Sequence, residues 1–203
     1  MGNFFTTYNL YIKPIEGGYV NNALDRGGET YAGIARRFWP NVSIWPTIDA
    51  IKAKAPIKTN AKFPSLEPTV TKFYEDMWLK NSFDKIVSQP IVDIFFDWFV
   101  NSGSAAISGV QKIVKVPITR KLDAATLAAI NKENATELNN KIKQERIDFY
   151  NRIVARDPSQ KVFINGWMNR INAFPTLTKV GGGIAGLLLL GGLFFLGYKY
   201  FSE

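Results

Sequence analysis

The chain opens on a helical spacing of apolar residues. Phe4, Phe5, Tyr8, Leu10, Tyr11, Ile12 and Ile15 recur mostly at intervals of three and four, which predicts an amphipathic helix over 4–15. Pro14 has no N–H and should kink or thin its last turn. Glu16-Gly17-Gly18 should then end the helix, with glycine supplying the left-handed geometry of a C-cap. Residues 21–35 (NNALDRGGETYAGIA) read as a small hairpin or irregular loop, and a short helix through Ile34, Arg37 and Phe38 stops at Trp39-Pro40. Five prolines from Pro40 to Pro68 leave mostly turns, around a short helix near 47–55. Val70, Phe73, Tyr74, Met77 and Trp78 follow the i, i+3, i+4, i+7, i+8 rule, with Pro68 near the first turn. Residues 91–100 (IVDIFFDWFV) are apolar nearly all round, which predicts the central buried helix. Shorter helices are predicted over 107–114 and 126–130, a long one through Ile142, Ile147, Tyr150 and Val154, and a last one through Phe163, Trp167 and Ile171. The fold class is therefore mainly α, with one small β element near 19–35.

A different pattern closes the chain. Residues 180–198 (VGGGIAGLLLLGGLFFLGY) run for 19 positions without a charge. As a helix they would reach about 28 Å, close to the hydrocarbon thickness of a bilayer. Lys179 and Lys199 flank them, with Tyr198, Tyr200 and Phe201 placed for an interfacial aromatic belt. The expectation is a C-terminal transmembrane helix over 180–200. Gly182 and Gly186 form one GxxxG, a hint of weak self-association.

Composition narrows the chemistry. The 203 residues contain no Cys and no His, which excludes disulfides, thiol nucleophiles, Ser-His-Asp or Cys-His hydrolases and His-ligated metals. Catalysis must use carboxylates, Lys, Arg, Tyr or Ser/Thr. Beyond Lys179 the only charges are Lys199 and Glu203, so the preceding part keeps the formal charge of +8 and suits a polyanionic partner such as a cell wall. Its basic residues are dispersed and no nucleic-acid module is visible, so no nucleic-acid partner is expected.

Glu16 is the most informative carboxylate. It sits at a helix end, where the partial negative charge disfavours ionisation, and Ile15 and Tyr19 would add desolvation. A Glu kept protonated suits a general acid for glycosidic cleavage. Asp25, beside Arg26, should stay ionised and could orient a water that the Thr30 hydroxyl also holds. The same residues also read as a solvated helix end followed by an ordinary turn. Asp93 and Asp97 share one helical face with Asn101, either as a catalytic pair or, the favoured reading, as a polar stripe that meets solvent or an arginine. Trp78, Trp98 and Trp167 read as core, whereas Trp39 and Trp45 are candidates for a ligand surface.

Glu16-Gly-Gly-Tyr-Val-Asn, followed by Asp25-Arg-Gly-Gly-Glu-Thr-Tyr-Ala-Gly-Ile-Ala, closely resembles the signature of glycoside hydrolase family 108, the phage and bacterial lysozymes (N-acetylmuramidases) of endolysin type. The likeness continues through Phe73-Tyr-Glu-Asp-Met-Trp, Ile94-Phe-Phe-Asp-Trp-Phe-Val-Asn-Ser-Gly and Gly166-Trp-Met-Asn-Arg-Ile-Asn, covering roughly residues 4–173. It implies a lysozyme-like helical fold that cleaves the β-1,4 bond between N-acetylmuramic acid and N-acetylglucosamine. The family's catalytic Glu falls on Glu16, with Asp25 and Thr30 in the supporting roles. Pro14 lies unusually close to that Glu. Arg120-Lys-Leu-Asp-Ala-Ala-Thr replaces the Asp-Gly…Gly-Pro-x-Thr pattern of peptidoglycan-binding modules.

The combined expectation is a lysozyme-like catalytic part over 1–88, a peptidoglycan-binding-like helical part over 89–175, and the membrane span. Glu16 protonates the leaving oxygen, while Asp25 and Thr30 position water or stabilise the oxocarbenium-like transition state. Tyr19, Arg26, Glu29, Tyr31 and Asn101 line the cleft. No metal or cofactor is needed. The partners are peptidoglycan glycan strands and a lipid bilayer through 180–198. The protein sits in the host inner membrane facing the periplasm, or in the membrane of a lipid-containing virion. The alternatives are a lytic transglycosylase using the same Glu, and a virion or membrane structural protein built on a lysozyme-like domain.

Overall fold

The structure, a computed structural model, describes residues 1–21, 28–180 and 183–185. Helix α1 (Phe4–Thr7) is capped by Asn3, whose side chain accepts from the Thr6 amide, and it widens at once into a π-helix over Tyr8–Ile12. The wider turn carries the Lys13 amide to the Tyr8 carbonyl at 2.8 Å, one residue further back than an α-helix allows. The predicted helix thus forms with a π segment ahead of Pro14, and the chain turns out of it so that Glu16 N reaches Ile12 O at 2.9 Å.

A three-stranded antiparallel sheet follows, in the order β1 (Tyr19–Asn21), β2 (Glu29–Tyr31), β3 (Ile34–Ala35). Its register pairs Tyr19 with Tyr31 and Tyr31 with Ile34. Ile34 therefore begins a strand, and the helix expected through Ile34, Arg37 and Phe38 does not form. Ala32 at φ 45° and Gly33 at φ 74° make a tight reversal between β2 and β3, a geometry that apolar spacing cannot signal. The β element is a full small sheet rather than one hairpin.

The remainder is helical. Helix α2 (Ile44–Lys52) lies slightly upstream of its predicted place. α3 (Glu67–Lys80) buries Val70, Tyr74, Met77 and Trp78, as its periodicity requires. α4 (Gln89–Ser102) is the axis of the molecule, buried on every face from Ile91 to Val100. α5 (Ser104–Ile113), α6 (Ala124–Lys132), α7 (Ala135–Arg156) and α8 (Ile164–Asn172) pack around it. One hydrophobic core runs from Phe4 to Phe174 and takes side chains from both the sheet-bearing half and the later helices. A satellite cluster of Tyr150, Trp167 and Ile171 pins α8 onto α7, with the Tyr150 and Trp167 rings stacked at 4.6 Å.

The C-terminal expectation is overturned. Where a transmembrane helix over 180–200 was expected, β4 (Thr178–Val180) and β5 (Gly183–Ala185) form an antiparallel pair with Val180 opposite Gly183. No helix among the described residues is long and apolar enough to cross a membrane. Helix α7 has the length, at 22 residues, but carries charges throughout. The single-pass membrane anchor, the inner-membrane or virion-membrane placement and the bilayer contact drawn from 180–198 are therefore not supported. Residues 186–203 and the Gly182/Gly186 pair lie outside the described residues.

Candidate active site

Glu16 ends the N-terminal helical segment with its side chain turned inward, and the residue is 5% exposed. The two glycines after it serve a different purpose from the expected left-handed cap, since neither adopts that conformation. A Cβ on Gly18 would stand 2.3 Å from the Asn60 carbonyl oxygen, so this position is small because another backbone crosses it. That crossing is fixed by Tyr19 N to Ala61 O and Asn60 N to Tyr19 O, both at 2.8 Å.

The β2–β3 reversal closes on the Glu16 carboxyl. A Cβ on Gly33 would lie 1.8 Å from Glu16 Oε2 and 2.6 Å from the Tyr74 hydroxyl, and its φ of 74° already favours glycine. Tyr74 gives its single proton to the Ala32 carbonyl at 2.8 Å, which leaves its oxygen to accept from a protonated Glu16. Both Glu16 carboxyl oxygens are buried. Burial pushes the Glu16 pKa up to about 8, against the pull of Arg170 and with a further push from Asp97. A Gly33→Ala substitution should therefore displace Glu16 and lose most activity. It should also cost at least about 1–3 kcal/mol from the left-handed backbone alone, read as a fall in both specific activity and melting temperature.

Behind Glu16 lies a buried charge cluster. Arg170 Nη2 is 3.6 Å from Glu16 Oε1 and 2.7 Å from Asp97 Oδ1, and Arg170 Nε donates to Asp97 Oδ1 at 2.9 Å. Arg146 Nη1 completes the group at 2.7 Å from Asp97 Oδ2. Asp97 thus meets arginine, as the polar-stripe reading anticipated. Asp93, on the same stripe, instead accepts from Thr7 Oγ1 at 2.5 Å and Gln89 Nε2 at 2.6 Å.

The other expected site residues fall into distinct places. Tyr19 and Glu29 are brought together, the tyrosine hydroxyl donating to Glu29 Oε1 at 2.8 Å. Lys52 reaches Glu29 Oε1 at 2.7 Å and Arg36 reaches Oε2 at 2.8 Å. Burial pushes Glu29 up, but these donors outweigh it and hold the carboxyl below its usual range. Glu29 is thus a fixed anion rather than an acid. Tyr31 bonds the Phe63 backbone through its hydroxyl, and Thr30, nearly buried on the other face of β2, donates to Gly28 O at 3.3 Å. Asn101 donates to the Asp97 carbonyl at 3.2 Å, and Asp25 and Arg26 lie outside the described residues. Trp45 is a core residue, 1% exposed, with its indole N–H on the Trp39 carbonyl, so it offers no ligand surface. Trp39 is 36% exposed and lines a cavity of about 660 Å³ with Phe73, Asn41, Asp76 and Lys80. Sequence reasoning missed Arg170, Arg146, Tyr74 and Gly33. The one available signal was Asp97, a carboxylate in an apolar helix that requires a cation from elsewhere.

A Glycosyl hydrolase 108 family model matches residues 10–103, and a Predicted Peptidoglycan domain model matches residues 116–172. Over residues 10–103 the chain is similar to members of glycosyl hydrolase family 108. It is a peptidoglycan-cleaving glycoside hydrolase of the lysozyme type, followed by a domain that marks peptidoglycan as its partner. The hydrolase also resembles a solved structure titled "Structure of Brucella abortus SagA", with 25% identity, a TM-score of 0.56, and coverage of 77% of this chain and 83% of that chain. No curated protein matches it.

Proposed function

We propose that Glu16 is the general acid that cleaves the β-1,4 bond between N-acetylmuramic acid and N-acetylglucosamine. The observation that carries this reading is a fully buried carboxyl that burial keeps protonated at neutral pH, its pKa pushed up to about 8 despite the nearby Arg170. Such a group costs stability and is kept where its proton is needed. Glu16 gives that proton to the leaving oxygen as the bond to the muramic acid anomeric carbon breaks. A water oriented by Asp25 and Thr30 adds to that carbon and passes its own proton to Asp25. Arg26 and Asn101 are assigned to glycan contacts, and Tyr19, Glu29 and Tyr31 to the cleft wall. The setting we infer, from the likeness of the Glu16 block to phage and bacterial lysozymes, is wall opening in phage lysis or entry.

Activity should fall as pH rises through about 8, where the Glu16 proton is lost. The deciding experiment is a zymogram on purified peptidoglycan with Glu16→Gln beside the wild type, and mass spectrometry of the released muropeptides. Reducing-end muramic acid is expected; anhydro-muramic ends would show a lytic transglycosylase instead. Trp39, exposed beside its cavity and edge-to-face with Phe73 at 5.0 Å, offers a ring for a sugar to stack on. Trp39→Ala should raise KM several-fold with kcat unchanged, as expected for a residue that binds glycan without touching the reacting bond.

A further inference from the structure

We propose that Arg170, on the helix that ends the peptidoglycan domain, is a positioning residue for Glu16, so that the second domain completes the active site of the first. This rests on Glu16 being the general acid. The helix α8 presents Trp167, Arg170 and Ile171 at i, i+3 and i+4, and all three are buried. The stack of Trp167 on Tyr150 fixes that face, and the spacing then drives the Arg170 guanidinium into the interior. Asp97 holds it there through Nε and Nη2. The remaining reach of Nη2 is toward Glu16 Oε1, at 3.6 Å. At that separation the guanidinium does little for the neutral acid and much for the carboxylate that appears once the proton has left.

The charges facing Glu16 come from several elements. Arg170 on α8 favours its ionised form and Asp97 on α4 opposes it. Tyr74 on α3 and Tyr8 on the N-terminal helical segment each feel the Glu16 charge in return. Burial is the strongest influence, and Arg170 is the strongest that works against it. Without Arg170, Glu16 should be a weaker acid that holds its proton to higher pH.

The test is the pH–rate profile of the full-length hydrolase on solubilised peptidoglycan glycan, for wild type, Arg170→Gln and Arg170→Lys, with melting temperatures alongside. In Arg170→Gln the alkaline limb should move up by about one pH unit, as expected for loss of a cation at this range, and kcat should fall about tenfold with KM unchanged. Arg170→Lys keeps a cation opposite Asp97, and hence the fold, but a single ammonium cannot serve both carboxyls. Its limb should move the same way by less. As a control, Arg152→Gln breaks only the exposed pair with Glu145 and should leave the profile in place. A folded Arg170→Lys or Arg170→Gln whose limb coincides with the wild type overturns the role of Arg170. An active Glu16→Gln overturns the assignment of the acid itself, so the two failures are distinct.

Discussion

Glu16→Gln is expected to lower kcat on peptidoglycan by about 10²–10⁴-fold, the contribution typical of a positioned general acid, and to leave KM within about twofold. The substitution keeps the shape of the side chain and removes only the transferable proton. The same variant should be more stable than the wild type, with a characteristic pH dependence. In the folded protein Glu16 titrates near 8 instead of 4.5. Between those values the native state holds a proton that the unfolded chain has released, so wild-type stability falls as pH rises through that window. Gln cannot ionise and escapes the loss. The stability gap should be absent below about pH 4, reach on the order of 3 kcal/mol at pH 7, and be complete above pH 8. Melting temperatures measured from pH 4 to pH 9 read this directly. A gap that does not grow with pH would show that Glu16 ionises as an ordinary surface carboxylate, and the acid assignment would fall with it.

What could be read from the sequence was local and periodic. The α3 spacing from Val70 to Trp78 and the apolar run of α4 predict helices because each face is written within a few turns. The Glu16-Gly-Gly-Tyr block is equally local, and it singles out the carboxyl on which the proposed chemistry rests. The purpose of its glycines was not legible, because Gly18 answers to the backbone at Asn60 and Gly33 answers to Glu16 itself. The two-residue strand at Ile34 is too short for any alternation to show. The stretch from Val180 misled for a related reason: hydropathy counts length and apolarity, which do not tell a helix from the strands at 178–180 and 183–185. Arg170 stands 73 residues beyond Asp97, and no pattern in either segment joins them. That pairing belongs to the way α8 docks on α7, which a single sequence does not display.

The docking gives the two family-matched regions a common interior. The core that begins at Phe4 ends at Phe174, and α4, within the hydrolase match, makes its closest packing with α7, within the peptidoglycan match. Arg170 is where the second region comes within 3.6 Å of the Glu16 carboxyl, on a helix stapled by Trp167 and Ile171.

The greatest loss of stability should come from Asp97→Asn. Asp97 and Arg146 are 0% exposed and Arg170 only 7%, so both guanidinium groups depend on this one carboxylate for compensation. The Glu16 carboxyl, neutral near pH 7, cannot take its place without ionising. Removing one partner of a buried ion pair costs about 3–5 kcal/mol, because the orphaned charge stays out of water. Arg146 finds partial support from the rings of Tyr150 and Phe174, each 5.9 Å from its guanidinium carbon, whereas the next carboxyl for Arg170 among the described residues is Glu16 at 3.6 Å. Asp97→Asn should thus melt far below the wild type, and most so at low pH, where Glu16 stays neutral and cannot face Arg170 as an anion. Replacing the whole cluster, as Asp97→Leu with Arg146→Met and Arg170→Leu, should recover most of that stability, since well-packed apolar residues often match a buried ion pair. The recovered fold should show an alkaline limb raised less than that of Arg170→Gln, because the push of Asp97 on Glu16 is lost together with the pull of Arg170. A limb raised as far as in Arg170→Gln would mean that Asp97 has no hold on Glu16.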